Sequence, residues 1–180
     1  QQTILSLQPG AVGSGNHIEI LVRLLDPDGT VVPPNAFIPA AERYGLMSKV
    51  DHWVISRTMA WFRQNPEKMR ELELCNINLS GNSLSDDGLL SYIEEQLDSS
   101  EIDASKFCFE LTETAAVSNL MLALNFMQRL KKKGCSFALD DFGSGMSSFG
   151  YLKSLPVDYL KIDGMFVKDI VHDKVSRSMV

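Results

Sequence analysis

In the stretch "SFALDDFGSGMSSFGYL", Asp140 and Asp141 stand side by side where an apolar run gives way to a glycine-containing loop. Adjacent carboxylates raise each other's pKa and destabilise a fold unless a cation offsets them. They have company. Glu19 and Arg23 lie in "HIEILVR", Asn76 and Asn78 in "CNINLS", Glu110 and Thr112 in "FCFELT", and Lys161 and Asp163 in "DYLKID". Taken singly, each has an ordinary structural explanation. Glu19 could pair with Arg23, Asn78 could cap a helix, Glu110 could meet a lysine, Lys161 could snorkel from a strand end, and Asp141 could cap the next turn. Taken together, the carboxylates need a compensating cation. All the potential ligands are oxygens, and the three cysteines and three histidines lack zinc-site spacing, so Mg²⁺ or Mn²⁺ fits better than Zn²⁺.

The elements that must position these residues alternate along the chain. Strand patterns are legible at Thr3 to Pro9, His17 to Leu25, Leu72 to Ser80, Lys106 to Glu113, Cys135 to Asp141 and Val157 to Asp163. Amphipathic stretches separate them. One runs from Ser48 to Asn65, with Val50, Trp53, Val54, Arg57 and Trp61 at helical spacing and Ser48 as the expected N-cap. Another ends in three lysines and Gly134, which suits a helix C-terminus. Two more helices are expected, one leading through Lys153 and one following Gly164. From Leu72 onward strand and helix alternate strictly, which predicts parallel strands joined by right-handed crossovers.

Strands buried on both faces should be nearly all apolar, yet these carry polar groups on one face. Glu19 and Arg23 alternate with Ile18, Ile20 and Val22, and Ser136, Ala138 and Asp140 share a face in their strand. In an open doubly wound sheet helices would cover both faces, and so many charges would be costly. In a closed (β/α) barrel one face points at the axis, and sites form at the carboxyl-end rim. The expected fold is therefore α/β and barrel-like, with Glu19, Asn78, Glu110, Asp140 and Lys161 converging. No linker or repeat divides residues 1–180, which read as a single domain.

The net charge of −6 argues against a general DNA- or RNA-binding surface. It leaves room for a small anionic ligand if a metal supplies positive charge. No apolar run is long enough to span a membrane, and no signal peptide precedes the first strand. With Cys75, Cys108 and Cys135 alone in apolar runs, the expectation is a soluble, reduced, cytoplasmic segment without membrane contact of its own. This is compatible with a membrane-anchored parent protein.

The motifs resemble the EAL domain, the bacterial cyclic di-GMP phosphodiesterase domain. They are "LQP", "EILVR", "FIPAAERYGL", "INLS", "FELTE", "LDDFGSGMSS" and "LPVDYLKIDGMFV", in the family's order across nearly the whole chain. The resemblance implies a TIM-like barrel with an aberrant first strand and hydrolysis of cyclic di-GMP to linear pGpG. It also implies a two-metal Mg²⁺ or Mn²⁺ site. Glu19, Asn78, Glu110 and Asp140 correspond to ligands of one metal and Asp141 to a ligand of the second, with Asp140 able to bridge. Lys161 corresponds to the lysine at the attacking water. Gln8, Arg23 and Asp163 correspond to dinucleotide contacts, and Glu113 to the anchor of the loop after Asp141. The resemblance further suggests a homodimer through the 141–152 loop and the following helix.

Met146 and Phe149 replace the family's usual tyrosine and leucine, apolar changes that should leave the loop working. A barrel usually needs about 250 residues. The family's last two strands, with a glutamate in a motif like "EGVE" and a later glutamine, are not in the 180 residues. The expectation is that a C-terminal part of the native protein is omitted, and that this segment alone has little activity. A catalytically inactive cyclic di-GMP receptor and a dimerising regulatory module are the alternatives.

Overall fold

The computed structural model describes residues 16–98, 102–143, 150–168 and 170–179. The expected first strand with Gln8, and the loop positions Gly145, Met146 and Phe149, lie outside them. Seven strands are described: β1 (Asn16–Ile20), β2 (Leu24–Leu25), β3 (Val31–Val32), β4 (Leu72–Asn78), β5 (Phe107–Thr112), β6 (Ser136–Phe142) and β7 (Tyr159–Ile162). Eight helices accompany them: α1 (Pro34–Arg43), α2 (Met47–Gln64), α3 (Pro66–Glu71), α4 (Asp87–Asp98), α5 (Glu113–Ser118), α6 (Leu120–Lys133), α7 (Gly164–Lys168) and α8 (Lys174–Met179).

The main sheet has the order β1-β4-β5-β6-β7, and every pairing is parallel. Each strand is added beside the previous one without reversal. Right-handed crossovers that never reverse put all connecting helices on one face. The sheet curls around its other face into a half-barrel, as the sequence pattern predicts. The two faces hold different cores. Cys75, Ile77, Phe107, Phe109, Leu111, Phe137 and Leu139 are fully buried in the large cluster shared with α2, α4 and α6. On the inner face, among the described residues, Leu74, Cys108 and Ala138 form a small apolar floor.

Several boundaries differ from the sequence pattern. The strand expected to run from His17 to Leu25 stops at Ile20. Leu24 and Leu25 instead pair antiparallel with Val32 and Val31, across a turn whose Gly29 takes a φ of 88°. Arg23 therefore leaves the alternation it was expected to share with Glu19. Ser48 does not cap α2. Leu46 holds the N-cap position, and the Ser48 hydroxyl donates to Asp86. The helix expected through Lys153 is, in its described part, a 3₁₀ turn at Tyr151–Lys153. The segment after Gly164 forms two short helices rather than one. The lysine-rich end of α6 behaves as read, with Gly134 in the left-handed region at φ 105°.

Candidate active site

Strand register sets the site. Glu19 is level with Asn76, Asn78 with Glu110, Glu110 with Ala138, and Thr112 with Asp140. Alternation then puts Glu19, Asn76, Asn78, Glu110 and Asp140 on the inner face, above the Leu74–Cys108–Ala138 floor. β5 is the central strand, so Glu110 is the deepest carboxylate, 1% exposed.

The convergence centres on Lys161. Its Nζ lies 2.7 Å from Glu110, 3.2 Å from Asp140 and 3.8 Å from Glu19. The Asn78 amide donates to Glu19 Oε1 at 2.8 Å. Residues from β1, β4, β5, β6 and β7 thus meet at one point. Burial pushes the Glu110 carboxyl up. The hydrogen bond and charge of Lys161 pull it back, Glu19 and Asp140 push it further up, and it settles at about 7. Burial disfavours the Lys161 ammonium, but Glu110, Asp140 and Glu19 outweigh it and hold its pKa above the ordinary lysine value.

The paired aspartates occupy a β-bulge. Leu139 is level with Leu160 and Phe142 with Ile162, so Asp140 and Asp141 together oppose Lys161. Asp141 absorbs the extra residue with a φ of 52°, the left-handed region that aspartate tolerates better than most residues. The sequence pattern suggested that the strand ends there. Instead β6 continues to Phe142, and the bulge re-aims Asp141 beside Asp140. Burial, then the charges of Asp140 and Asp163, raise the Asp141 pKa against the pull of Lys161.

The other expected residues are placed as follows. Arg23 donates to the Val22 carbonyl at 2.8 Å and lines a cleft of about 400 Å³ shared with Glu19, Ile38, Asn78 and Thr112. Asp163 accepts the Met165 backbone N–H at 2.8 Å, just ahead of α7. Glu113, 2% exposed at the start of α5, accepts the Gly143 N–H at 2.8 Å and the Tyr151 hydroxyl. One carboxylate therefore ties residues on both sides of the 144–149 segment. Sequence reading missed Tyr151, because a tyrosine in a helical pattern carries no sign that its hydroxyl reaches Glu113, 38 positions away.

A divalent cation fits this donor set. The candidate ligands are all oxygens, which suits a hard cation. Among the described residues Glu110 Oε1 is buried with no hydrogen-bond partner, and a buried orphan acceptor is costly unless something positive reaches it. Among the described residues no group of three or more His, Cys, Asp or Glu side chains forms a ready-made metal cage. The positive charge that Glu110 and Asp140 face in this structure is the Lys161 ammonium.

The parallel curled sheet with polar groups at its carboxyl edge defines a TIM-like α/β half-barrel with a rim site. The family model of the EAL domain matches residues 1–180. The chain is 43% identical over 173 residues to cyclic di-GMP phosphodiesterase PdeB of Shewanella oneidensis, covering 94% of this chain and 20% of PdeB. It is 35% identical over 178 residues to cyclic di-GMP phosphodiesterase PdeF of Escherichia coli, covering 98% and 24%. The FimX EAL domain from Pseudomonas aeruginosa bound to c-di-GMP superposes with a TM-score of 0.82 at 32% identity, over 93% of this chain and 66% of that one. The PaMucR phosphodiesterase in complex with c-di-GMP superposes at 0.80 and 29% identity, over 96% and 69%. This chain belongs to the EAL-domain family. It spans about a fifth to a quarter of the length of these two curated relatives.

Proposed function

We propose that the protein containing this chain hydrolyses cyclic di-GMP to linear pGpG in a reaction that depends on Mg²⁺ or Mn²⁺. The observation that carries this reading is the meeting of Glu19, Glu110 and Asp140, from three strands, around Lys161 Nζ beside the orphaned Glu110 Oε1. Glu19, Asn78, Glu110 and Asp140 would hold one cation, and Asp141 a second beside it. When bound, such a pair supplies charge that polarises the phosphodiester and acidifies a water for attack. The chain's own groups do the rest. Lys161 keeps its proton and donates it in hydrogen bonds to the attacking water or a phosphoryl oxygen. Arg23 swings from the Val22 carbonyl to a phosphate oxygen, where its fork gives directional recognition. Asp163 and Gln8 contact the dinucleotide, and Glu113 fixes the loop beyond Asp141. We assign the protein to the cytoplasm and to a homodimer through the 141–152 loop and the helix that follows it. Among the described residues no helix is long and apolar enough to cross a membrane.

The test uses the full natural protein with Mg²⁺ or Mn²⁺, following cyclic di-GMP by chromatography. Linear product that disappears in Glu19→Ala is the expected result. Tight binding without turnover would make the protein a receptor, and neither binding nor turnover would leave only a regulatory module.

A further inference from the structure

α2 buries Met47, Val54, Ile55, Thr58, Met59 and Phe62 along one stripe. Asp51 stands in that same stripe, four residues after Met47 and four before Ile55, where helical spacing calls for an apolar side chain. It is only 4% exposed. Its Oδ2 accepts the Ser80 backbone N–H at 2.8 Å and the Ser83 hydroxyl at 2.6 Å. Burial pushes the carboxyl above its ordinary range, and the bonds from Ser83 and Ser80 pull it back. A carboxylate is an expensive way to tie a helix to a turn.

The tied turn begins two residues after Asn78. The Leu79 N–H donates to the Glu110 carbonyl at 2.8 Å, which continues the β4–β5 ladder past the end of β4. The chain then turns into a 3₁₀ segment at Gly81–Ser85, whose N-cap Ser80 makes no side-chain capping bond. On its far side the turn meets α5. A Cβ on Gly81 would lie 3.3 Å from Ala115 Cβ. The segment leaving Asn78 is therefore held by Glu110 along the strand, by α5 on one side and by Asp51 from behind.

Resting on the function proposed above, we infer that Asp51 is a positioning residue: from α2 it fixes the Ser80–Ser83 turn and thereby the Asn78 amide at the cation-binding rim. Asp51 lies in the wall of the same cleft of about 400 Å³ as Glu19 and Asn78, but its Oδ2 is taken up by Ser80 and Ser83, so its effect passes through the turn. Loss of the carboxylate leaves the Ser80 N–H without its buried acceptor. The turn then shifts, and Asn78 loses its fixed aim towards Glu19.

The test uses the full natural protein with Asp51→Asn, Asp51→Ala and Ser83→Ala. Mn²⁺ affinity is read by electron paramagnetic resonance, Ser80 amide exchange by hydrogen–deuterium exchange, and hydrolysis by chromatography. Met59→Ala, which truncates a fully buried side chain on the same helix, controls for loss of stability alone. Asp51→Ala should weaken Mn²⁺ binding about tenfold or more, the range seen when a group supporting a ligand is lost, with faster exchange at Ser80, whereas Asp51→Asn, whose amide oxygen still accepts from Ser80 and Ser83, should retain most of the affinity. Ser83→Ala should move the same way as Asp51→Ala by less, and remains informative if the Asp51 variants fail to fold. Met59→Ala should lower thermal stability with Mn²⁺ affinity unchanged. Wild-type Mn²⁺ affinity in folded Asp51→Ala, or in Ser83→Ala when Asp51→Ala does not fold, overturns this inference alone. So does equal weakening by Met59→Ala. Wild-type protein that binds no Mn²⁺ and turns over no cyclic di-GMP overturns the functional reading, and this inference with it.

Discussion

The two faces of the main sheet are built from the same strands and could hardly differ more. Facing the helices, Phe109 and Phe137 pack ring to ring with centroids 5.9 Å apart, and every strand position in that core is apolar. Facing inward, the residues immediately alongside are Glu110 and Ala138, and among the described residues the buried apolar cluster shrinks to three side chains. Folding free energy comes mainly from apolar area removed from water, so the outer face supplies the stability. The inner face carries a cost instead, visible in a glutamate held at about 7. One residue of shift along a strand exchanges the two roles.

Neighbouring substitutions on β5 test this contrast most severely. Phe109→Ala should cost about 3–5 kcal/mol of folding stability, the usual range for a fully buried aromatic, measured by urea denaturation. Glu110→Gln should change stability by about 1 kcal/mol or less, because Lys161 keeps Asp140 and Glu19 as partners while the burial cost of a charge disappears. Yet it should lower cyclic di-GMP hydrolysis in the full protein by about 100-fold or more, because a proposed cation ligand is lost. A Glu110→Gln protein that unfolds like Phe109→Ala would show that the inner face is structural after all.

The outer face was legible in the sequence, because burial against helices leaves a simple apolar signature at every second strand residue. The inner face was legible only in part. Alternation along β4, β5 and β6 places Asn78, Glu110 and Asp140 together, since regular strands preserve their period of two. The period failed where the backbone leaves the ladder. Arg23 departs because Leu24 and Leu25 find antiparallel partners across the Gly29 turn. The bulge at Asp140 and Asp141 was invisible because no glycine marks its left-handed residue. Tyr151 and Asp51 could not be recognised either, since their importance lies in partners 38 and 29–32 positions away.

A smaller effect sharpens the cost carried by the inner face. Glu110 has a folded pKa of about 7 against an ordinary 4.5. Its folded form therefore binds protons more tightly than its unfolded form. The associated stability is complete below about pH 4.5 and is lost as pH rises through about 7. Asp141, also raised, adds to the decline in the same direction. In chelator, thermal stability should fall across this window. Mn²⁺ should flatten the fall, because a bound cation replaces the proton, and Glu110→Gln should flatten it without metal. An undiminished slope in Glu110→Gln would place the main titrating group elsewhere.

The smallest effect belongs to the opposite end of β6. There Lys131 Nζ bonds both oxygens of Asp158, at 2.6 and 2.7 Å, and Asp158 also accepts the Phe137 N–H at 2.9 Å. In chemical type this is the same lysine–carboxylate pairing as at Lys161. Its setting differs. It joins the end of α6 to the entry of β7, at the amino ends of the strands, where a barrel's conserved contacts serve stability rather than chemistry. Lys131 and Asp158 are each about a third exposed, so solvent and salt screen the pair. Lys131→Ala should cost about 1 kcal/mol or less, shrinking further in high salt, with Mn²⁺ affinity and hydrolysis in the full protein unchanged. Lys161→Ala should abolish turnover, because the ammonium that three carboxylates surround is lost. Should Lys131→Ala lower turnover as Lys161→Ala does, proximity to the rim would cease to separate the two pairs. The division between a stabilising end and a reacting end of β6 would then have to be abandoned.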